Sequence, residues 1–226
     1  MTNIKHWLVD YMYLVYGHFL TLFHRKTPKH FLNYVVENKA AVILIPGFFE
    51  KWTFLKKLAD KISLEGHPLY IVSKLGYNLK DIPTSAKVIK ELIDNNNIQN
   101  AIIVAHSKGG LIGKYYLINL NKDNLVKGMV SIATPYSGTS FAHYIPHSLV
   151  KDFRTDSKMI QELKANTEIN KKIISISPVF DNHVWEGSRL EGAQNITVNE
   201  KGHHKIIYNK ELQDIVIKSI NKLAVN

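Results

Sequence analysis

Cysteine is absent from this chain of 226 residues, which removes disulfides, thiolate metal sites and a cysteine nucleophile together. A reducing compartment is compatible with that absence but not established by it, because exported enzymes also do without disulfides. Acidic side chains are the scarcer sign: 29 Lys and Arg against 19 Asp and Glu leave a net charge of +10. Such a surface favours anionic partners such as nucleic acid or acidic lipid headgroups, or is simply solvated. No zinc-finger, RNP or helix-turn-helix pattern accompanies the scattered lysines, so only weak, salt-sensitive association with nucleic acid is expected. The phosphate-loop pattern G-x-x-x-x-G-K-[ST] is missing, and Gly109-Gly110-x-x-Gly113 lacks the dinucleotide spacing. With no H-E-x-x-H either, no metal and no cofactor are expected. Low-complexity segments are also missing. At 45% hydrophobic residues the chain can bury one substantial core.

Residues 1–30 differ in character from the rest. From Trp7 to Phe23 nearly every residue is apolar or aromatic, and the basic Arg25, Lys26 and Lys29 follow. At roughly 100° per residue, Asn3, His6, Asp10, Gly17, Thr21 and His24 share one side of a helix. A spanning helix wants about 20 apolar residues, and Asp10 cuts this run short. No small-residue cleavage site follows Phe23, so a removed signal peptide is not expected. Three readings remain: a helix in a membrane interface through residues 7–23, a helix docked on the body, or an uncleaved anchor. The matching locations are cytoplasmic or peripheral to a membrane.

Residues 31–226 read as a single α/β domain. Short apolar runs bounded by Gly or Pro predict strands at Ala41–Ile45, Pro68–Val72, Ala101–Ala105, Gly128–Ile132, Lys172–Ile176 and Asn195–Val198. Between them, apolar residues recur at helical spacing: Leu55, Leu58, Ala59 and Ile62 before Gly66; Val88, Ile89, Leu92 and Ile93; and Leu212, Ile215, Val216, Ile220 and Leu223 near the end. The pattern predicts a mostly parallel sheet of about six strands covered by helices on both faces. Residues 139–170 carry no strand signal and predict a helical cap inserted between two strands, with apolar Phe141, Tyr144, Ile145, Leu149, Phe153 and Leu163.

In Ala101-Ile-Ile-Val-Ala-His-Ser-Lys-Gly-Gly-Leu-Ile-Gly113 an apolar strand meets a serine among small residues and then a helix. A nucleophile raised on a tight strand–helix turn needs small neighbours, and the Lys108 amide follows Ser107 at the positive end of the helix. This stretch resembles the nucleophile elbow of the α/β-hydrolase family, in the His-Ser-x-Gly-Gly form of lipases and related esterases. Ala105 stands where the family pattern has its first glycine.

The resemblance implies the order serine, acid, histidine. Ser177-Pro-Val-Phe-Asp181-Asn-His-Val184 is similar to the family's acid-bearing loop and Gly202-His203-His204 to its Gly-His turn, so it implies a triad of Ser107, His203 and Asp181. His204 is the alternative base, and Glu186 and Glu191 are the alternative acids. Ile43-Leu-Ile-Pro-Gly-Phe-Phe-Glu-Lys-Trp52 resembles the oxyanion loop, implying amide donors at Phe48, with Phe49 as alternative, and at Lys108. Phe49 and Trp52 are candidate acyl-pocket residues or core aromatics. Tyr136 lies in Thr-Pro-Tyr-Ser-Gly-Thr, which resembles a lipase segment at the mouth of the site.

What the likeness implies is a serine esterase acting on a lipid or other acyl ester. Its rivals are a small-ester carboxylesterase, thioesterase or acyltransferase with the same triad, or a binding protein on the same fold.

Overall fold

Alternation in the strands explains the architecture seen in the computed structural model, which describes residues 2–24, 26–145 and 148–225. Arg25 lies outside the described residues, as does the side chain of Leu149. Six strands form one parallel sheet: β1 (Ala41–Ile45), β2 (Leu69–Ile71), β3 (Ala101–His106), β4 (Val126–Ile132), β5 (Ile173–Phe180) and β6 (Gln194–Lys201). Their order is β2-β1-β3-β4-β5-β6, and every pairing is parallel. Ala41, Ile43, Ile45, Ile103 and Ala105 face one core; Val42, Leu44, Ile102 and Val104 face the other. With both faces apolar, each must be covered by helices.

The first core is closed by α4 (Ile82–Asn95) and α5 (Lys108–Asn119), the second by α3 (Lys56–Leu64) and α7 (Lys210–Ala224). Side-chain oxygens start two of these helices: Asp81 accepts from the Thr84 amide at 2.7 Å and Asn209 from the Leu212 amide at 3.0 Å. Between β4 and β5 the chain forms short 3₁₀ turns (Ser140–Tyr144, Ser148–Phe153 and Glu168–Lys172) and α6 (Lys158–Ala165), with no strand among the described residues.

Four strands run further than the apolar pattern predicts, β3 and β4 by one or two residues and β5 and β6 by more. β5 outruns β4 beyond Ile176, so Pro178 pairs only with Val198 of β6 and its missing N–H breaks no bond to β4. β6 is an edge strand whose side chains are mostly exposed or half-buried, so a search for buried runs finds only its middle.

At the amino end, α1 (Thr2–Phe23) and the single turn α2 (His30–Asn33) precede the sheet. No helix among the described residues is long and apolar enough to cross a membrane. α1 lies along the 3₁₀ turns Trp52–Leu55 and Lys205–Tyr208 with its polar side inward. Asp10, Gly17 and Thr21 are buried, and Thr21 Oγ1 lies 2.7 Å from Thr53 Oγ1. Gly17 lets the Phe54 ring approach so closely that a Cβ there would sit 2.5 Å from it.

Close packing also fixes the glycines that open α5. A Cβ on Gly109 would stand 2.6 Å from the Ile45 carbonyl oxygen and 2.9 Å from that of Pro46. Backbone cannot yield as a side chain does, so Gly109→Ala is expected to destabilise the protein by about 2 kcal/mol or more in a denaturant titration. An unchanged midpoint would contradict this packing.

Candidate active site

β3 ends at His106, and Ser107 takes φ 51° and ψ −122° before α5 begins at Lys108. That conformation is rare for a residue with a Cβ and is held by the Ser107 amide, which donates to the Ile132 carbonyl at 2.8 Å. Ser107 thereby stands at the positive end of α5 and lines a cavity together with Phe48 and Lys108. Among the described residues, the amides of Phe48 and Lys108 donate to no protein acceptor. The amide of Phe49, the alternative donor, is without one as well among the described residues.

The parallel pairing of β5 with β6 sets their carboxyl ends side by side. Asp181 follows β5 directly, and Gly202-His203 follows β6. His203 Nδ1 lies 2.9 Å and 3.1 Å from the two carboxylate oxygens of Asp181. The same carboxylate accepts from the amides of His183 at 2.8 Å and Val184 at 2.9 Å. Burial alone would raise Asp181, but the charge and N–H of His203 and these two amides hold it below the usual carboxylate range. His203 is affected in the opposite sense. Its burial favours the neutral ring, yet Asp181, with Asp10 and Glu50 further off, raises its pKa above the ordinary 6.5. The Asn182 side-chain oxygen accepts from the His203 amide at 3.0 Å and fixes the turn. Ser107 and His203 line the same cavity, with no direct hydrogen bond between them among the described residues.

A second carboxylate–imidazole chain lies behind the first. Asp10, on α1, accepts from the amides of His204 at 2.7 Å and Lys205 at 2.8 Å, and from His204 Nδ1 at 3.0 Å. His204 Nε2 lies 3.6 Å from Glu50, whose other oxygen accepts from the Gly47 amide at 2.7 Å and from His106 Nδ1 at 3.0 Å. His106 Nε2 in turn reaches the His203 carbonyl at 3.0 Å. Burial would raise Glu50, but His106, His204 and the Gly47 amide hold it down at about 2. The loop after β1, the end of β3, the turn after β6 and α1 are thus tied into one unit. Gly202 is required there twice over: its φ is +126°, and a Cβ would meet Asp10 Oδ1 at 2.5 Å.

The cavity measures about 190 Å³ and is walled by Phe48, Ile145, Val150 and Phe153, with Leu14 from α1 and His183. Ligand atoms of His183, His203 and His204 lie within 4.8 Å of one another, as a metal ion would need. His204, however, already turns one nitrogen to Asp10 and the other towards Glu50. Burial, with the charges of His203 and His204, pushes His183 down to about 3, so its ring is neutral.

The α/β hydrolase fold family matches residues 40–176 of this chain, more than half its length. The chain belongs to the α/β hydrolase fold family. Among solved structures it is similar to a lipase of Bacillus licheniformis in mature form, at 14% identity and TM-score 0.64 over 84% of this chain and 95% of that one. A hydrolase of Pseudomonas aeruginosa gives 12% identity and TM-score 0.60, covering 82% and 91% of the two chains. Lipase B of Aspergillus fumigatus gives 14% identity and TM-score 0.64, covering 84% of this chain and 54% of that one. At these identities the likeness extends to the α/β-hydrolase fold, its six-stranded parallel sheet and its flanking helices.

Within this hydrolase fold, Ser107, His203, Phe48, Phe49 and Lys108 line one cavity, and Asp181 sits behind His203. The other candidate acids lie elsewhere: Glu186 accepts from the Ser140 amide on the cap, and Glu191 is exposed. Two expected pocket residues are not in the wall. Trp52 is buried against Phe31, ring centroids 5.8 Å apart, because the chain turns into a 3₁₀ helix and carries it into the core below the loop. Tyr136 is buried too, and its hydroxyl donates to Ser131 Oγ at 2.7 Å. Asp10, Glu50, His106 and His183 are not among the site residues expected from the sequence. Asp10 did carry a signal, as the lone acid in an apolar run, which needs donors if it is to be buried.

Asp10→Ala leaves two backbone amides and an imidazole without their acceptor, and is expected to cost about 3 kcal/mol in a denaturant titration at neutral pH. Asp10 is depressed below its ordinary 3.8, so its contribution is present above that value and is lost as pH falls below it. The difference between parent and variant should narrow in acid. A variant as stable as the parent at pH 7 would contradict the bracing role of this carboxylate.

Proposed function

We propose that this member of the α/β hydrolase fold family is a serine hydrolase that cleaves carboxylic esters through an acyl-enzyme. The observation that carries the reading is His203, backed by Asp181, in the wall of a cavity shared with Ser107 in its raised conformation. In this reading His203 Nε2 takes the proton from Ser107 as Oγ bonds to the ester carbonyl carbon. The carbonyl π electrons move onto oxygen, and the amides of Phe48 and Lys108 stabilise that oxyanion. Its collapse expels the alcohol, which leaves with the proton held by His203. Water then attacks the acyl-serine by the same route, releasing the acid and restoring Ser107. Asp181 keeps the imidazole oriented and stabilises its protonated form.

The apolar wall supports an acyl group, with Phe49 half-exposed at its edge. At about 190 Å³ the cavity is smaller than the roughly 300–1,000 Å³ usual for ligand sites. A short acyl group fits inside; a lipid chain would run out past Phe141 and the cap. We favour the lipid ester, since the apolar surface continues at that mouth: the Trp7 and Trp185 rings lie 5.8 Å and 5.6 Å from Phe141. Whether α1 brings this site to a membrane is a separate physical question, decided by its outer face.

A fluorophosphonate probe should label the parent and not Ser107→Ala; equal labelling of both would refute the nucleophile. Across p-nitrophenyl esters of increasing length, kcat/KM should hold or rise into medium and long chains. A fall beyond the shortest acyl groups would assign the protein to small esters instead.

A further inference from the structure

The helix α1 is built inside out. Its buried side carries Asp10, Gly17 and Thr21, while Ile4, Leu8, Met12, Val15, Phe19 and Leu22 face outward, each between 52% and 70% exposed. Polar atoms inside are satisfied by the His204 turn and by Thr53, and among the described residues the apolar side stays exposed. A large unbroken apolar face on a surface marks something that covers it.

We propose that this face docks on an anionic lipid surface, with α1 lying in the plane of the interface. Charge distribution selects that occupant. Among residues 1–36 the only acid is Asp10, which is buried, whereas Lys5, Lys26 and Lys29 are exposed at the two ends of the helix. An apolar stripe about 27 Å long with basic ends matches headgroups of negative charge over an acyl layer. A second copy of the chain fits poorly, because pairing two such helices in either direction brings basic ends together.

Continuity with the cavity is the second argument. Trp7 lies against Phe141 at the cavity mouth, with ring centroids 5.8 Å apart, and Tyr11 meets His183 at 5.6 Å. Beyond them Phe141 touches Trp185, and Trp185 touches Tyr144, both exposed. Tyr and Trp prefer the headgroup level of a bilayer. Docking α1 would therefore set the mouth of the site at that level, facing the lipids. Leu14, on the same helix, reaches the cavity wall. This docking deepens the ester-hydrolase reading by naming where its substrate lies, but it requires no turnover.

The test is co-sedimentation of the full chain with vesicles of phosphatidylcholine alone or containing about one-third phosphatidylglycerol. The parent and Ser107→Ala are both expected to sediment with the anionic vesicles, less so at high salt, and to bind the neutral ones about tenfold more weakly. The double variant Leu8→Glu, Val15→Glu should lose at least about tenfold in binding while keeping the parent's Tm. If it fails to fold, Met12→Ser, Phe19→Ser replaces it. Failure of the parent to bind either vesicle, or variant binding equal to the parent's, would overturn the proposal. So would a parent dimer in light scattering that the variant converts to monomer, since a second copy then covers the face. Because Ser107→Ala is expected to bind, a failed esterase assay leaves this outcome unaffected.

Discussion

A buried carboxylate stays ionised only where several N–H donors converge on it, and three carboxylates meet that condition in one cluster of loops. Asp10 and Asp181 each collect two backbone amides and an imidazole, and Glu50 collects one amide and an imidazole. Each is held below its ordinary pKa although burial pushes the other way. Their summed field raises His203 while burial lowers His204, its neighbour in sequence. The two adjacent histidines therefore differ in character: one is a candidate base at the cavity wall, the other a strut between α1 and the loop after β1.

The sheet makes this convergence possible. Parallel strands end on one side, so the residues after β1, β3, β5 and β6 meet there although they are far apart in sequence. Close packing holds the arrangement rigid. Gly109 lies against the carbonyls of Ile45 and Pro46, Gly110 against Thr134, and Gly202 against Asp10. α1 then closes the assembly from outside, through a polar contact that leaves its apolar side facing away.

Much of this is legible in the sequence, for identifiable reasons. The central strands carry apolar residues on both faces, which only a sheet covered on both faces requires, so β1, β3 and β4 stand out. Ser107 announces itself by its small neighbours, and Gly202-His203 by a glycine needed at positive φ. Edge strand β6 is obscured because its exposed side chains are polar, and the end of β5 because Pro178 looks like a stop. Trp52 and Tyr136 mislead because aromatic side chains suit a core as well as a pocket. The bracing by Asp10 and Glu50 is invisible locally, since each depends on partners more than fifty residues away. Which side of α1 faces inward is likewise set by the donors at His204 and Lys205, not by hydrophobicity.

The central claim is that Asp181 makes His203 a stronger base than a free histidine. A titration of histidine ring resonances by NMR, assigned with His203→Gln, reads this directly. The account predicts a His203 pKa above 6.5 in the parent and a lower value in Asp181→Asn. A His203 that titrates at or below 6.5, unchanged by that substitution, would contradict it.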